Sequence, residues 1–233
     1  MGAIYKREFK GYFTSPIGYV ILAIFYVFAS FFFSLLFESG SSDQTQLFSS
    51  MFVIVLIVIP LLTMRVFSED KRQKTDQLLY TAPVGLTGVV IGKYLAAMTV
   101  FAIAMGITLV FQIITAFYVS PDWLVYIGNL IGMLLLASAM TSIGVFISSL
   151  TESQLVAAVA SFAVSMVLWL IDTVASLVNV DWVTKLVGWI SFNGRYTGFT
   201  QGTFDYANMI FFLSFTALFL FLTVRVLDRK RYA

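Results

Sequence analysis

The sequence predicts an all-α polytopic membrane protein, a single domain over residues 1–233 that crosses the bilayer six times. Of the 233 residues, 60% are hydrophobic and 11% are charged, whereas about 25% are charged in an ordinary soluble domain. Six apolar stretches each reach the roughly 20 residues that a helix needs to cross a hydrocarbon core. The predicted spans are 16–37, 47–64, 94–118, 124–150, 154–171 and 207–226.

The chain contains no histidine and no cysteine. These absences exclude zinc sites, disulfides, thiol nucleophiles, Ser-His-Asp triads and haem held by His or Cys. The formal net charge of +2 does not favour nucleic acid as a partner. We therefore expect no catalytic, metal or cofactor residues in this chain, which is not expected to be an enzyme.

Residues 1–15, ahead of the first span, predict an amphipathic helix that lies in the membrane interface. The apolar face carries Ile4, Tyr5, Phe9, Tyr12 and Phe13, and the other face carries Lys6, Arg7 and Lys10. A flexible basic N-terminus is the alternative, but it would leave these aromatic rings in water. Pro16 marks the expected break before the first span.

Basic residues fall almost entirely on one side of the predicted spans. That side carries Lys6, Arg7, Lys10, Arg65, Lys71, Arg72, Lys74, Lys93, Arg225, Arg229, Lys230 and Arg231. The positive-inside rule makes this side cytoplasmic. We therefore expect a multi-pass protein of the inner (cytoplasmic) membrane with both termini in the cytoplasm.

Two longer segments connect the spans. The cytoplasmic loop 65–93 contains a short amphipathic helix within 65–83, in which Ser68 is the expected N-cap, Asp70 faces Lys74 four residues later and Pro83 follows the end. The external segment 172–206 is aromatic, and this favours short helices in the outer interface. Turns are expected within it at 193–194 and 201–202. The residues of the loop helix fit a contact with a cytoplasmic partner and an ordinary solvated helix equally well.

Here the sequence resembles a known family. The loop carries Arg65-x-Phe67-x-Glu69, Thr75, Leu78, Leu79, Thr81, Pro83-Val84 and Gly92-Lys93. This order resembles ABC transporter permeases of the type-2, exporter-like class, in particular the short six-span permeases related to gliding-motility and nitrous-oxide-cluster transporters. The N-terminal segment ending at Pro16 and the C-terminal pattern Phe199-x-x-Gly202-x-x-Asp205 also match. One position departs: the family pattern has Gly before Thr75, where this chain has Lys74.

The resemblance implies that the loop contains a coupling helix, which seats in a groove of a cytoplasmic ABC ATPase. Matching positions assign this role to Glu69, Thr75, Leu78 and Pro83. Charge and position add Asp70, Lys71, Arg72 and Glu152, the last in the turn 151–153, although a solvated face explains Lys71 and Arg72 equally well. A second permease copy or a paralogue would complete the translocation path, and ATP and Mg would bind the ATPase. An auxiliary subunit is left open.

Three other sequence features are less specific. Gly88-x-x-x-Gly92-Lys93 is one residue too short between its glycines for a phosphate-binding loop, and Tyr94 follows the lysine. In the fourth span Gly128 and Gly132, and in the fifth Ala157, Ser161 and Ser165, favour close helix packing within one subunit or a subunit interface. Asp172 either caps the fifth span or places a polar group at the outer mouth of a pathway.

Two other functions compete with a transporter subunit. An ATP-independent carrier or channel usually places ionisable groups or broken helices at the midplane of the bilayer, and no such instance stands out. A membrane-embedded enzyme would need paired carboxylates at one depth. Glu152 and Asp172 lie near opposite ends of the fifth span, so they cannot act together.

Overall fold

The computed structural model describes residues 2–38, 44–75, 85–120, 122–178, 181–200 and 205–232. Helices account for nearly all of them, and these residues form no strand. In chain order the helices are α1 (Gly2–Thr14), α2 (Pro16–Glu38), α3 (Thr45–Thr63), α4 (Ser68–Arg72), α5 (Leu86–Ala116), α6 (Trp123–Leu150), α7 (Gln154–Val178), α8 (Asp181–Ile190), α9 (Phe192–Thr200) and α10 (Tyr206–Tyr232). The all-α prediction is confirmed.

Six of these helices, α2, α3, α5, α6, α7 and α10, are long and apolar enough to cross a membrane. Five of the predicted spans match them closely. The third differs, because α5 begins at Leu86 rather than near residue 94, so the last part of the predicted loop 65–93 is helical. Val89 and Val90 are buried there, and the charge of Lys93 is neutralised inside the protein, so the helix continues past a lysine that the sequence assigned to the loop.

Helices α3 and α6 form the centre of the bundle. Helix α6 packs against α3, α5, α7, α9 and α10. Its close approach to α3 occurs at Gly144, where a Cβ atom would collide with the side chain of Thr63. By contrast, α2, α7 and α10 expose apolar faces such as those of Phe31, Leu155 and Phe221, as helices that face lipid or another subunit must.

The N-terminal segment is a helix, as predicted. Its cationic side chains Lys6, Arg7 and Lys10 are exposed. On the apolar face, the ring centroid of Phe9 lies 5.9 Å from that of Tyr5 and 5.1 Å from that of Phe13. The helix packs against α5 and α2, which fixes its position at one end of the bundle. We call this the basic end; it comprises α1, α4, the start of α5 and the end of α6.

The opposite end carries α8 and α9, and we call it the aromatic end. The prediction of short helices within 172–206 is confirmed by α8 and α9, although α7 extends into this segment as far as Val178. The turn expected at residues 193–194 is wrong, because both residues lie inside α9. The Ser191 hydroxyl accepts a hydrogen bond from the backbone N–H of Gly194 at 2.8 Å and so caps the new helix. Residues 201–202, the other expected turn, lie outside the described residues.

Candidate functional site

A tight turn and a single helical turn follow α3 at the basic end. Helix α4 has only five residues, so the amphipathic helix predicted within 65–83 covers only Ser68–Arg72 in the described part of this range, which ends at Thr75. Leu78, Leu79, Thr81 and Pro83 lie outside them. Ser68 is not the N-cap: Phe67 precedes the helix, and the Ser68 hydroxyl donates to the Met64 carbonyl.

The last turn of α6 supplies the cap that Ser68 was expected to provide. The Ser148 hydroxyl accepts from the backbone N–H groups of Phe67 at 3.1 Å and Ser68 at 3.2 Å, and it donates to the Met64 carbonyl at 3.1 Å. One side chain from a distant helix therefore satisfies two of the unpaired N–H groups at the start of α4. Lys71, which is 7% exposed, donates to the Ser149 carbonyl.

The placement of Lys71 separates it from its neighbour Arg72. The Lys71 side chain is held against the end of α6, so it is not on the solvated face that its charge suggested. Arg72 is exposed. Of these two candidates for contact with a partner, Arg72 faces outward, whereas Lys71 holds α4 to the end of α6.

Arg65 joins the end of α1 to α4. Its guanidinium donates to the Ser15 hydroxyl at 2.7 Å and lies 4.5 Å from the ring centroid of Tyr12. Its Nε atom is 4.0 Å from Oε2 of Glu69. Burial raises the pKa of Tyr12, whose hydroxyl donates to the Leu62 carbonyl at 2.9 Å. Glu69 itself is partly exposed, with 38% of its side chain accessible.

Lys93 joins three segments on the other side of α4. Its Nζ atom lies 3.0 Å from Oε1 of Glu8 and 2.7 Å from Oδ2 of Asp70, and it donates to the Val66 carbonyl at 2.7 Å. Asp70 is therefore paired with Lys93 and not with Lys74, as the four-residue spacing suggested. Glu8 also pairs with Arg7 at 2.6 Å and raises the pKa of that guanidinium.

Lys74 ends α4 in the left-handed region with φ 57°. The Thr75 N–H bonds back to the Asp70 carbonyl at 2.9 Å and the Lys74 N–H to the Lys71 carbonyl at 3.0 Å, which is the pattern of a Schellman motif. Glycine is the usual residue at this position. The position where the resembling family has Gly thus has the backbone conformation that glycine favours, even though this chain has Lys.

Two clefts flank α4. One, of about 440 Å³, lies between α1 and α4 and is lined by polar residues that include Arg7, Glu8, Glu69 and Thr75. The other, of about 690 Å³, lies between α4 and the start of α7. It is lined by Leu61, Met64, Arg72, Glu152, Ser153, Gln154, Leu155 and Ala158. Arg72 and Glu152 therefore both line the second cleft, and the joint role predicted for the loop and the turn 151–153 stays a prediction.

The remaining predicted residues lie away from α4. Gly128 is buried in α6, and at Gly132 a Cβ atom would stand 2.6 Å from Cβ of Phe199. Ala157, Ser161 and Ser165 are buried in α7. The Ser165 hydroxyl lies 4.0 Å from the sulfur of Met140 on α6, so packing within the chain accounts for this stripe of small residues.

Asp172 does not cap its helix, because α7 continues to Val178. Its Oδ2 accepts a hydrogen bond from the Ser191 hydroxyl at 2.8 Å. Asp172 thereby ties α7 to the start of α9 through the serine that caps α9. The sequence suggested a cap at the end of α7, but it could not show that the acceptor serves the next helix.

Sequence reasoning missed the roles of Glu8, Arg65 and Ser148, and it assigned Lys93 to a loop. A signal existed for Glu8, which is the lone acidic residue in an otherwise basic amphipathic segment. Gly88 and Gly92 lie within α5. Lys93 has its ammonium group in ion pairs, so the segment does not have the loop geometry of a phosphate site.

The family model of the ABC-2 family transporter proteins matches residues 14–224, which is most of the chain. The chain belongs to the ABC-2 transporter family. The matched range contains α2 to α9 and most of α10. This membership and the six apolar helices identify a multi-pass transmembrane permease of the ABC transporter class, which is a transport subunit. No curated protein matches the permease sequence.

Proposed function

We propose that the permease forms the translocation path of an exporter-type ABC transporter and that a separate cytoplasmic ATPase docks on its basic end. The basic end then faces the cytoplasm, with both termini inside and the protein in the inner membrane. The one-sided distribution of basic residues supports this orientation, and the resemblance of the loop motifs supports the exporter direction.

The observation that carries this proposal concerns the short helix α4. Buried contacts hold it to the neighbouring helices, while two of its side chains remain accessible. Ser148, Lys71 and Lys93 fasten α4 to α6 and α5, whereas Glu69 and Arg72 remain accessible next to the two clefts. A displacement of α4 is therefore transmitted to α5 and α6 through these contacts. Glu69, Asp70, Arg72, Thr75, Leu78, Pro83 and Glu152 remain the proposed coupling residues, with Lys71 acting from beneath the helix.

ATP and Mg bind the ATPase in this proposal, and ATP-driven closure of two ATPase subunits shifts the spans between two arrangements. The shift requires that the nucleotide-bound ATPase contact the two arrangements with different free energy. A second copy of the permease, or a paralogue, completes the path. The exposed apolar faces of α2, α7 and α10 supply surface both for that contact and for lipid.

Co-purification tests the proposal. The permease is expressed together with the ABC ATPase subunits of its source organism and isolated in mild detergent, and we expect one of them to form a stable complex with it that hydrolyses ATP. The absence of any associated ATPase would contradict the proposal and return the ATP-independent carrier as the better hypothesis.

Glu69→Lys provides the sharper version of this test. The charge reversal should weaken association of the ATPase by about tenfold or more, because a like charge then faces the surface that recognised the carboxylate. Glu38→Lys is the matched control, since it makes the same charge change at the exposed end of α2, far from α4. Equal association of the ATPase with both variants would exclude a coupling role for Glu69.

The absence of cysteine allows a direct test of orientation. Single cysteines at Gln73 and Glu38, both exposed, are labelled in intact cells with a maleimide that does not cross the inner membrane. We expect labelling of the cysteine at position 38 and protection of the one at position 73. The reverse pattern would contradict the proposed orientation.

A further inference from the structure

The environment of Lys93 links α1 to α4 through a shared charge. Its side chain is 1% exposed, and the oxygens of Glu8, Asp70 and Val66 lie within 3.0 Å of Nζ. These oxygens come from three segments: α1, α4 and the turn that follows α3. We call this group of four residues the Lys93 junction.

The charges of the junction make it able to exchange partners. An ammonium group has three N–H donors, and three oxygens surround this one. Two of the oxygens are carboxylate, so either Glu8 or Asp70 alone can still neutralise Lys93 when the other moves away. Without the lysine, Asp70 would lose the cation 2.7 Å from its Oδ2, and Glu8 would keep only its pair with Arg7.

A second contact fastens the same two elements. Arg65 reaches Ser15 and the ring of Tyr12 at the end of α1, and its Nε lies 4.0 Å from Glu69 on α4. Glu8 and Tyr12 are four residues apart and therefore lie on one face of α1. The two cations thus hold one face of α1 against α4 at two successive helical turns.

Helix α1 leads directly into the first span. Only Ser15 separates it from α2, and Gly18 of α2 packs so closely on the Tyr12 carbonyl that no side chain fits there. The Tyr5 hydroxyl also donates to Thr99 of α5 at 3.1 Å. A displacement of α1 must therefore be passed to α2, with which α4 itself makes no comparable described contact.

We infer that Lys93 is a positioning residue that makes α1 move with α4, so that the interfacial helix carries the coupling motion to the first span. Because Glu8 lies on α1 and Asp70 lies on α4, the two ion pairs of Lys93 can be tested separately. Loss of the Glu8 charge removes the ion pair between α1 and Lys93 while Asp70 still pairs α4 with Lys93, and loss of the Asp70 charge does the reverse. The inference deepens the proposed function, but its first test does not depend on an ATPase.

The first experiment measures the distance between α1 and α4 in the permease alone. Spin labels are attached to cysteines introduced at Lys10 and Gln73, both exposed, in a chain with no other cysteine. We expect Lys93→Met and Glu8→Gln to shift the distance distribution to longer, broader values, and Lys93→Arg to restore it. Lys6→Met is the matched control, an exposed lysine of the same helix, and should leave the distribution unchanged.

An unchanged distribution in Glu8→Gln and Asp70→Asn alike would overturn the inference. These two variants keep one ion pair to Lys93 each, so they decide the matter even if Lys93→Met does not fold. A shift that Lys6→Met reproduces would also overturn it, because the effect would then come from the charge of α1 in general.

The second experiment uses the complex with the ATPase. In the parent, addition of MgATP should leave the distance between the labels at positions 10 and 73 unchanged, because α1 moves with α4. It should change the distance between labels at Lys10 and Leu155, an exposed residue at the start of α7. In Glu8→Gln the ATPase should still bind, but the MgATP-dependent change between Lys10 and Leu155 should be lost. Retention of the full change in Glu8→Gln would overturn the inference. Failure of any ATPase to bind would contradict the proposed function, while the first experiment would still decide the junction.

Discussion

At the basic end, Arg65, Lys71 and Lys93 join α4 to α1, α5 and α6 through carboxylates, hydroxyls and carbonyls. At the aromatic end, α9 is held mainly by rings. Phe192 lies 5.2–5.6 Å from three phenylalanines of α10, namely Phe211, Phe212 and Phe215. Hydrogen bonds to neighbouring helices add to this packing: the Tyr196 hydroxyl donates to the Phe48 carbonyl, the Thr45 hydroxyl to the Thr200 carbonyl and the Arg195 guanidinium to the Asn208 side chain, each at 3.1 Å.

This difference separates two ways of holding a helix in a bundle. Ring packing depends on volume and has one good arrangement, because a buried core is close-packed. Ion pairs and hydrogen bonds depend on direction and charge, and a cation between two carboxylates can exchange one for the other. In the proposed function the basic end passes on motion, and contacts of the second kind suit that role.

The largest effect is expected where the basic end loses its shared cation. Lys93→Met leaves Glu8 and Asp70 without their buried partner, and breaking a buried ion pair costs about 3–5 kcal/mol of stability. Denaturant unfolding of the purified permease in detergent measures the change. Lys6→Met, at an exposed position, should change the free energy of unfolding little. Equal stability of the two variants would mean that the Lys93 junction does not stabilise the fold.

At the aromatic end, the corresponding test adds volume instead of removing charge. Gly132→Ala places a methyl group 2.6 Å from Cβ of Phe199, and overpacking of this kind costs about 1–3 kcal/mol. Gly106→Ala is the matched control, since nothing lies within 4 Å of the added atom. The same unfolding measurement should place Gly132→Ala below Gly106→Ala, and the opposite order would break the comparison.

Ser148→Ala tests whether one hydroxyl organises the start of α4. The change leaves the N–H groups of Phe67 and Ser68 without their acceptor, and an unsatisfied buried donor costs about 1–2 kcal/mol. Ser34→Ala is the control, because Ser34 is exposed and bonds only to the Phe31 carbonyl of its own helix. Faster amide hydrogen exchange at residues 67 and 68, seen only in Ser148→Ala, would locate the effect.

The smallest effect has the opposite sign. Lys74→Gly should stabilise the permease by about 0.5–1 kcal/mol, because glycine adopts the left-handed conformation of this position without strain. Gln73→Gly, one residue earlier at φ −86°, should instead destabilise by about 0.5–1 kcal/mol through the greater backbone entropy of glycine in the unfolded chain. Thermal unfolding of the two variants side by side checks the signs, and a destabilising Lys74→Gly would contradict the described turn.

Much of the fold could be predicted because the signals were local. Hydropathy over about 20 residues predicts a span wherever it occurs, and five of the six spans agree closely with the structure. The third helix begins earlier than predicted. Its first two turns contain Lys93, and hydropathy alone cannot show that Glu8 and Asp70 neutralise this charge.

The short length of α4 and the continuation of α7 beyond Asp172 escaped prediction for different reasons. Helix α4 ends in a Schellman turn at Lys74, where no glycine marks the end in the sequence. Asp172 accepts a hydrogen bond from Ser191, a partner 19 residues away, instead of capping its own helix.

The sequence by itself determined the six spans, the amphipathic first helix, the one-sided placement of basic residues and the motif order of the family, since each is a pattern along the chain. The tertiary structure decided what each charge does. Lys71 and Arg72 are adjacent and carry the same charge, yet Lys71 is buried against Ser149 and Arg72 faces outward. Glu8, Asp70 and Lys93 lie far apart in the sequence, and only the folding of three segments against one another places their charges within 3.0 Å. A charge costs too much to bury alone, so its role depends on partners that the chain brings together only when it folds.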